Sequence, residues 1–216
     1  MYVPPAFRQD APADLHATIR AYPFATLVSV VDGAPSATHV PLLLDAERGP
    51  HGTLVGHVAR ANPHAGLFDG RSRALAIFHG PHAYVSPRWY AGGPNVPTWN
   101  YVVVHASGVL RPIEEPERVR GLLARTAAVF EAGAEAPWSP EREPVEYVER
   151  LARAIVAFEL PIDELVGKRK LSQNKRASDR TGVVAGLTAL DEPDGVAIAQ
   201  LMAALDVPSG AAEPAA

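Results

Sequence analysis

The 216-residue chain contains no cysteine. That one absence removes disulfides, zinc–thiolate sites, iron–sulfur clusters and cysteine nucleophiles. No apolar run approaches the ~18 residues that a membrane helix needs, and no basic-then-apolar leader opens the chain, so a cytoplasmic protein is expected. Neither sign of charge dominates: 20 Lys and Arg stand against 24 Asp and Glu, a net charge of −4. A chain-wide electrostatic footprint for nucleic acid is therefore missing, although a local basic patch is not excluded. Also missing are G-x-S-x-G, the P-loop, G-x-G-x-x-G and H-E-x-x-H, so common hydrolases, P-loop and Rossmann enzymes and zincins drop out. What remains is an ordinary globular balance, 47% hydrophobic and 20% charged. The length suggests one domain over residues 1–206 with a C-terminal helical part. The tail "VPSGAAEPAA", 207–216, offers nothing to pack and is expected to be disordered.

Periodicity gives the elements. Asp10 can cap a short helix carrying Leu15, Ile19 and Tyr22 on one face, and Pro23 stops it. Phe24 to Val31 reads as a strand, Asp32-Gly33 as a tight hairpin turn, and Ser36 to Leu44 as the return. Thr53 to Ala59 is the next strand, followed by a Pro63-led helix through Phe68. Ala74 to Phe78 is a buried strand, Gly80 to Val96 a Gly/Pro-rich loop, and Thr98 to Leu110 a strand closed by Pro112. Helical spacing then runs from Val119 to Phe130 and, after Pro144, over Val148, Leu151, Ala152 and Ile155. A late strand, Val156 to Leu160, is expected to end at Pro161, with helices at Asp179 to Leu190 and near Val196 to Leu205. Strands do not alternate strictly with helices, so a small antiparallel barrel with added helices fits better than a doubly wound sheet.

Three stretches hold candidate chemistry. One is "GHVARANPH", Gly56 to His64: its His57 could converge with His39 of the preceding strand on a metal, yet no carboxylate lies in the same motifs. A phosphate needs fewer assumptions: Arg60 supplies a planar cation, Asn62 an amide, and the helix its unpaired N–H groups. The bland reading makes Asn62 an N-cap and Arg60 a solvated charge. "VPTWNY", Val96 to Tyr101, could stack a flat ligand on Trp99 and fix it with Thr98 and Asn100, or simply pack into the core. "GKRKLSQNKR" is the densest basic segment, with Lys168, Arg169, Lys170, Lys175 and Arg176. It would serve as a DNA-contacting loop, as a solvated charged loop, or as a set, Lys170, Gln173 and Asn174, on an anionic cofactor. His79, His82 and Tyr84, in an expected lid loop, are the residues available for proton transfer, and no single catalytic base stands out.

Read together and in order, "MYVPPAF", "GHVARANPH", "FHGPHAYVSPRWY", "VPTWNYVVVHASG" and "KLSQNKRASDRTGVVAGL" resemble the PaiB family. That family is described as FMN-binding negative transcriptional regulators with the split β-barrel fold of pyridoxamine-phosphate-oxidase-like flavoproteins. The resemblance spans Met1 to about Leu190. It implies an α+β, mainly β, fold: an antiparallel Greek-key split β-barrel with peripheral helices. It also implies a homodimer with two FMN sites at the subunit interface. In split-barrel flavoproteins the segment after the third barrel strand carries phosphate contacts, which here is His57, Val58, Ala59, Arg60 and Asn62. Thr38 and His39 would then lie near the isoalloxazine or ribityl part. One departure is Arg169, where an aromatic or aliphatic residue is expected between Lys168 and Lys170, and it makes the segment more basic. The resemblance leaves two functional classes, a flavin-binding regulator that could contact DNA and a flavin-dependent oxidoreductase acting on a small molecule. Heme binding, as in some split-barrel relatives, is a third.

Overall fold

The computed structural model describes residues 1–205, so the tail expected at 207–216 lies outside the described residues. In chain order the strands are β1 (Arg8–Gln9), β2 (Phe24–Val31), β3 (Ala34–Pro41), β4 (Leu43–Asp45), β5 (Thr53–Ala59), β6 (Arg73–Val85), β7 (Thr98–Val109), β8 (Arg111–Ile113) and β9 (Ile155–Lys170). The helices are α1 (Pro12–Ala21), α2 (Pro116–Phe130), α3 (Val145–Arg153), α4 (Ala177–Leu190) and α5 (Pro193–Ala203). The hydrogen-bonded order is β3-β2-β6-β7-β9-β5-β4, with β1 and β8 also on β9. Neighbours far apart in sequence, such as β5 and β9, pair antiparallel. Two compact units emerge, one of residues 1–18, 79–104 and 166 onward, the other of residues 19–78 and 105–165. They are called the first and second unit below.

The second unit begins from its hairpin. Asp32 and Gly33 both adopt positive φ, 49° and 81°, as a two-residue turn requires, and Val31 pairs with Ala34. Alternation then sorts β2: Ala25, Leu27 and Ser29 are buried, while Phe24 and Val30 are exposed. β5 spans the residues its pattern predicts and pairs along its whole length with β9. Phe68, beyond the Asn62-capped turn, stacks on Phe158 of β9 with centroids 4.3 Å apart. Glu159, on β9, takes Nη2 of both Arg48 and Arg118 at 2.7 Å. Burial pushes its carboxyl up, yet the hydrogen bonds and charges of the two arginines together outweigh this and leave its pKa below the usual value.

The first unit adds β1 to the end of β9, pairing Arg8 with Lys168. Its core gathers Val85, Leu171, Val183, Leu187, Ile198 and Met202 from β6, α4, α5 and the segment after β9. The turn at residues 87–89 lays Trp89 against Gly182 and Gly186 of α4, and Asp179 accepts the Ala91 N–H at 2.8 Å.

Three of the boundaries that differ from expectation reshape the sheet, two of them at a proline or glycine. β6 does not end at Phe78 but runs to Val85, so the expected loop from Gly80 shortens to residues 86–97. Gly80 and Pro81 are both buried, which shifts the alternation by one residue before His82, Ala83, Tyr84 and Val85 resume it. β9 likewise passes through Pro161 and continues to Lys170. Pro161 sits opposite Thr53, the last position of the β5 pairing, and Ile162 carries the next hydrogen bond, to the Gly52 carbonyl. The missing N–H is tolerated there because the ladder ends. Finally, α3 stops at Arg153, so Ile155 opens a strand instead of closing a helix.

Candidate functional site

In the second unit the segment "GHVARANPH" builds a partly buried polar knot. Asn62 caps the turn at Pro63–Leu67 by accepting the His64 N–H at 2.9 Å, and its amide donates to the Thr38 hydroxyl at 3.3 Å. His64 is only 2% exposed. Its Nδ1 lies 3.1 Å from Thr38 Oγ1, and its Nε2 lies 3.1 Å from Ser29 Oγ. Burial pushes the His64 imidazole below its usual pKa, and both hydroxyls can donate or accept, so a neutral ring is fully satisfied. Four residues from three elements are thereby tied together, and their polar groups serve one another.

The remaining predicted positions in this unit scatter. His39 faces away from Thr38 on β3, is exposed, and stacks 6.3 Å from the Phe24 ring. His57 is partly buried on β5, with its pKa pushed down by burial; Val58 is buried beside it and Ala59 is exposed. Arg60 is a clamp. Its N–H donates to the Ala154 carbonyl, its Nε to Arg153 and its Nη2 to Ile155, each at 2.8 Å. These carbonyls lie where α3 runs out into β9, and a guanidinium there satisfies the groups a helix end exposes. The turn after Asn62 is a five-residue 3₁₀ element, too short to provide the helix-dipole anion site that the spacing suggested.

The first unit assembles a different cluster. Alternation on β6 and β7 puts His82 and Tyr84 on one side, and Trp99 and Tyr101 on one side. The Trp99 ring lies 6.0 Å from His82 and meets Tyr84 edge-on at 6.2 Å. Trp99 is 52% exposed and Tyr84 44% exposed. A cleft of about 310 Å³ opens here, lined by His79, Gly80, His82, Trp99, Tyr101 and Val102–Val103. Contrary to the lid-loop expectation, His79, His82 and Tyr84 stand on a strand. Asp194, in the first turn of α5, accepts His82 Nδ1 at 3.0 Å and the His82 N–H at 3.3 Å.

Beside this shelf the basic segment folds inward. Lys168 is 8% exposed, donates to the Tyr2 carbonyl and sits 5.2 Å from the Tyr101 ring centroid. Lys170 donates to Thr98 Oγ1 and to the Trp99 carbonyl, both at 2.6 Å. Burial pushes the Lys170 ammonium below its usual pKa, and the charges of Lys168 and Lys175 push it further down. An ammonium has three donors, so one is left after these two bonds. Of the predicted first-unit residues, Lys170, Thr98 and Trp99 come together. Asn100 does not join them: it is fully buried, bonding Ser172 Oγ at 3.0 Å and Met202 Sδ at 3.3 Å. Gln173 is occupied by the Leu171 N–H and the Arg169 carbonyl. Both thereby fix the turn in which Ser172 has φ 59°. Asn174 is partly buried and follows that turn.

Sequence reading missed His64 as the partner that joins Thr38 to Ser29, and Tyr101 and Tyr2 as partners of Lys168. The parity of "HAY" on β6 and "WNY" on β7 was the signal available for the aromatic shelf. For the polar knot only the Asn62 cap was visible locally. Among the described residues, no three His, Asp or Glu side chains converge as metal ligands, and no helix is long and apolar enough to cross a membrane.

Comparison with known proteins agrees with a flavoprotein. Residues 1–164 match the family described as "Putative FMN-binding domain". The chain is 31% identical over 202 residues to the protease synthase and sporulation protein PAI 2 of Bacillus subtilis, covering 94% of this chain and 96% of that protein. Among solved structures, the FAD and heme binding protein from Mycobacterium smegmatis superimposes with TM-score 0.57 at 20% identity, over 76% of this chain and 73% of that one. The flavocytochrome Anf3 from Azotobacter vinelandii gives TM-score 0.61 at 15% identity, over 76% and 69%. At such identities these two structures speak for the fold alone, an antiparallel α+β split β-barrel. With the family match and the Bacillus relative both extending over most of its length, the chain belongs to the FMN-binding PaiB family, whose cofactor is FMN.

Proposed function

We propose that the chain is a homodimeric FMN-binding regulator of the PaiB type whose flavin rests on the aromatic shelf of the first unit. The observation that carries this reading is Lys170: a partly buried ammonium with one donor left, anchored on Thr98 and the Trp99 carbonyl, beside an exposed indole. FMN joins a flat aromatic ring to a phosphate through a short polyol, and the cluster offers a stacking surface and a cation at close quarters. The second-unit residues are set aside because Thr38, Asn62 and His64 satisfy one another and Arg60 holds α3 in place. When bound, FMN supplies redox-active ring chemistry; the residues named here bind and orient it.

Dimerisation draws support from the outward side of β2 and β6. Phe24, Val28 and Val30 line up there with Leu75 and Ile77, and Phe24 and Val30 are about two-thirds exposed, at 64% and 66%. An apolar sheet face of this kind marks an interaction surface, and a two-fold pairing covers it on both copies. Regulation by direct DNA contact through the basic segment has less support, since Lys168 and Lys170 are turned onto aromatic and carbonyl groups. The second reading, a flavin-dependent oxidoreductase, is favoured by His82, whose Nδ1 is held by Asp194 so that Nε2 points free beside the shelf.

Titration with FMN and riboflavin, followed by flavin fluorescence, tests the site. Lys170→Gln should weaken FMN binding by about 1.5–3 kcal/mol, the range for a hydrogen bond to a charged group, and leave riboflavin nearly unchanged. Trp99→Ala should weaken both ligands by about 0.5–1.5 kcal/mol. Equal losses of both flavins in Lys170→Gln would place the phosphate elsewhere.

A further inference from the structure

A cavity of about 540 Å³ lies in the second unit among α2, α3 and the β8–β9 pair, and nothing in the flavin reading uses it. Its floor is aliphatic, made by Ile113, Val119, Ile155, Val156 and Ala157. Its mouth carries Arg60, Arg120 and Arg153 against Glu114 and Glu149, three cations to two carboxylates. Arg60 is fixed by its backbone carbonyls. The other two are loosely held. Arg120 stands 3.6 Å from Glu117 and Arg153 stands 3.8 Å from Glu149. Elsewhere in the same unit, Arg48, Arg73 and Arg118 close on carboxylates at 2.7 Å. The guanidinium donors of Arg120 and Arg153 therefore remain available to a ligand at the mouth of an apolar pocket.

The lining also says what the ligand is not. No aromatic side chain and no neutral hydrogen-bonding side chain borders the cavity. An isoalloxazine would find nothing to stack on and no partner for its carbonyl and imide edge. A metal would find carboxylates outnumbered by cations.

We propose that this cavity is a second binding site, separate from the flavin, for a small amphipathic organic anion, specifically an aliphatic carboxylate of medium chain length. The alkyl body would lie on the Ile113–Val119–Val156 floor, where its burial drives binding. The carboxylate would take paired N–H groups from Arg120 and Arg153, the planar match that guanidinium offers. Because Arg120 belongs to α2 and Arg153 to α3, the bound anion ties the two helices together. A volume of this size falls within the range of small-molecule pockets, roughly 300–1,000 Å³.

The test uses the full chain with FMN bound. Sodium octanoate is titrated by calorimetry, with octylamine as the cationic control of equal length. Three proteins are compared: wild type, the double variant Arg120→Ala with Arg153→Ala, and Ala152→Trp, which fills the cavity from α3. Octanoate should bind wild type once per chain, at least about tenfold more weakly to either variant, while octylamine gives no saturable binding. The flavin spectrum should stay unchanged throughout. The double variant alters only surface guanidiniums, so it keeps the test valid should Ala152→Trp fail to fold. No saturable octanoate binding by wild type, equal affinity in the double variant, or equal binding of octylamine would each overturn the proposal. Release of FMN in proportion to octanoate bound would overturn it too, by showing the cavity to be the flavin's own.

Discussion

A helix interior ordinarily gains about 1 kcal/mol when a glycine becomes alanine, because the backbone has less freedom to lose. Helix α4 carries Gly182 and Gly186 on the side that receives Trp89, and there the sign should reverse. A Cβ at Gly186 would stand 2.5 Å from Trp89 Cε2 and 2.7 Å from Cγ, inside the contact distance of a rigid ring. At Gly182 it would collide with the Trp89 carbonyl oxygen, which is backbone and cannot rotate away. Over-packing of this kind costs about 1–3 kcal/mol. Set against the propensity gain, Gly186→Ala should lose up to about 2 kcal/mol, and Gly182→Ala at least as much. For a chain of this size each kcal/mol moves the melting temperature by about 2–4 °C. Gly121 in α2 is the control, since nothing lies within 4 Å of its added Cβ, and Gly121→Ala should raise the melting temperature by a few degrees. Calorimetric melts of the three variants decide the matter. A rise for Gly186→Ala equal to that of Gly121→Ala would show that Trp89 is not seated in α4, and the packing argument would fail.

Other outcomes follow from the same geometry. His64 and His57 both have folded pKa values pushed below the ordinary 6.5 by burial, so the unfolded chain takes up protons first as pH falls. The contribution of the two histidines to stability should therefore be full above about pH 6.5 and decline below it until the folded-state pKa values are passed; urea melts at pH 7.5 and 5.5 read this directly. His64→Leu leaves Ser29 and Thr38 facing an apolar group and should cost about 1–3 kcal/mol even at pH 7.5, a loss measurable in the same melts. Phe24→Glu with Val30→Glu places charges on the outward face of β2 and should convert a dimer to monomer by light scattering, without loss of helical circular dichroism.

How much of this was legible in the chain depends on whether the deciding contact is local. The Asp32-Gly33 hairpin and β5 were legible residue by residue, since positive φ and strand alternation are properties of short windows. Pro161 and the Gly80-Pro81 pair misled for the same reason. A proline ends a strand only where its N–H is needed, and that depends on where the partner strand stops. In the site, Asn62 as a cap was visible from sequence, but its further partner Thr38 lies 24 residues away and the Ser29–His64 contact spans 35. The basic run was open to three readings because neighbours along the chain cannot show that Lys170 reaches Thr98, 72 residues distant. Family resemblance supplied the cofactor; of the thirteen suggested positions, hydrogen bonding brings Thr98, Trp99 and Lys170 together, and these three carry the proposed flavin site.

The most direct test of the flavin account is the pH dependence of FMN binding by the unmodified protein, with riboflavin measured alongside. Lys170 has its pKa lowered from the ordinary 10.5 by burial and by Lys168 and Lys175, and only its protonated form attracts phosphate strongly. Between pH 7.5 and 9.5 the phosphate is fully ionised, so any change belongs to the protein or the ring. The ring is common to both ligands. FMN affinity should fall as pH rises from 7.5 through the lysine's titration, which lies below the ordinary 10.5, while riboflavin affinity stays level, and bound FMN should hold the lysine protonated to higher pH than in the free protein. Parallel curves for the two flavins would contradict the assignment of Lys170 to the phosphate.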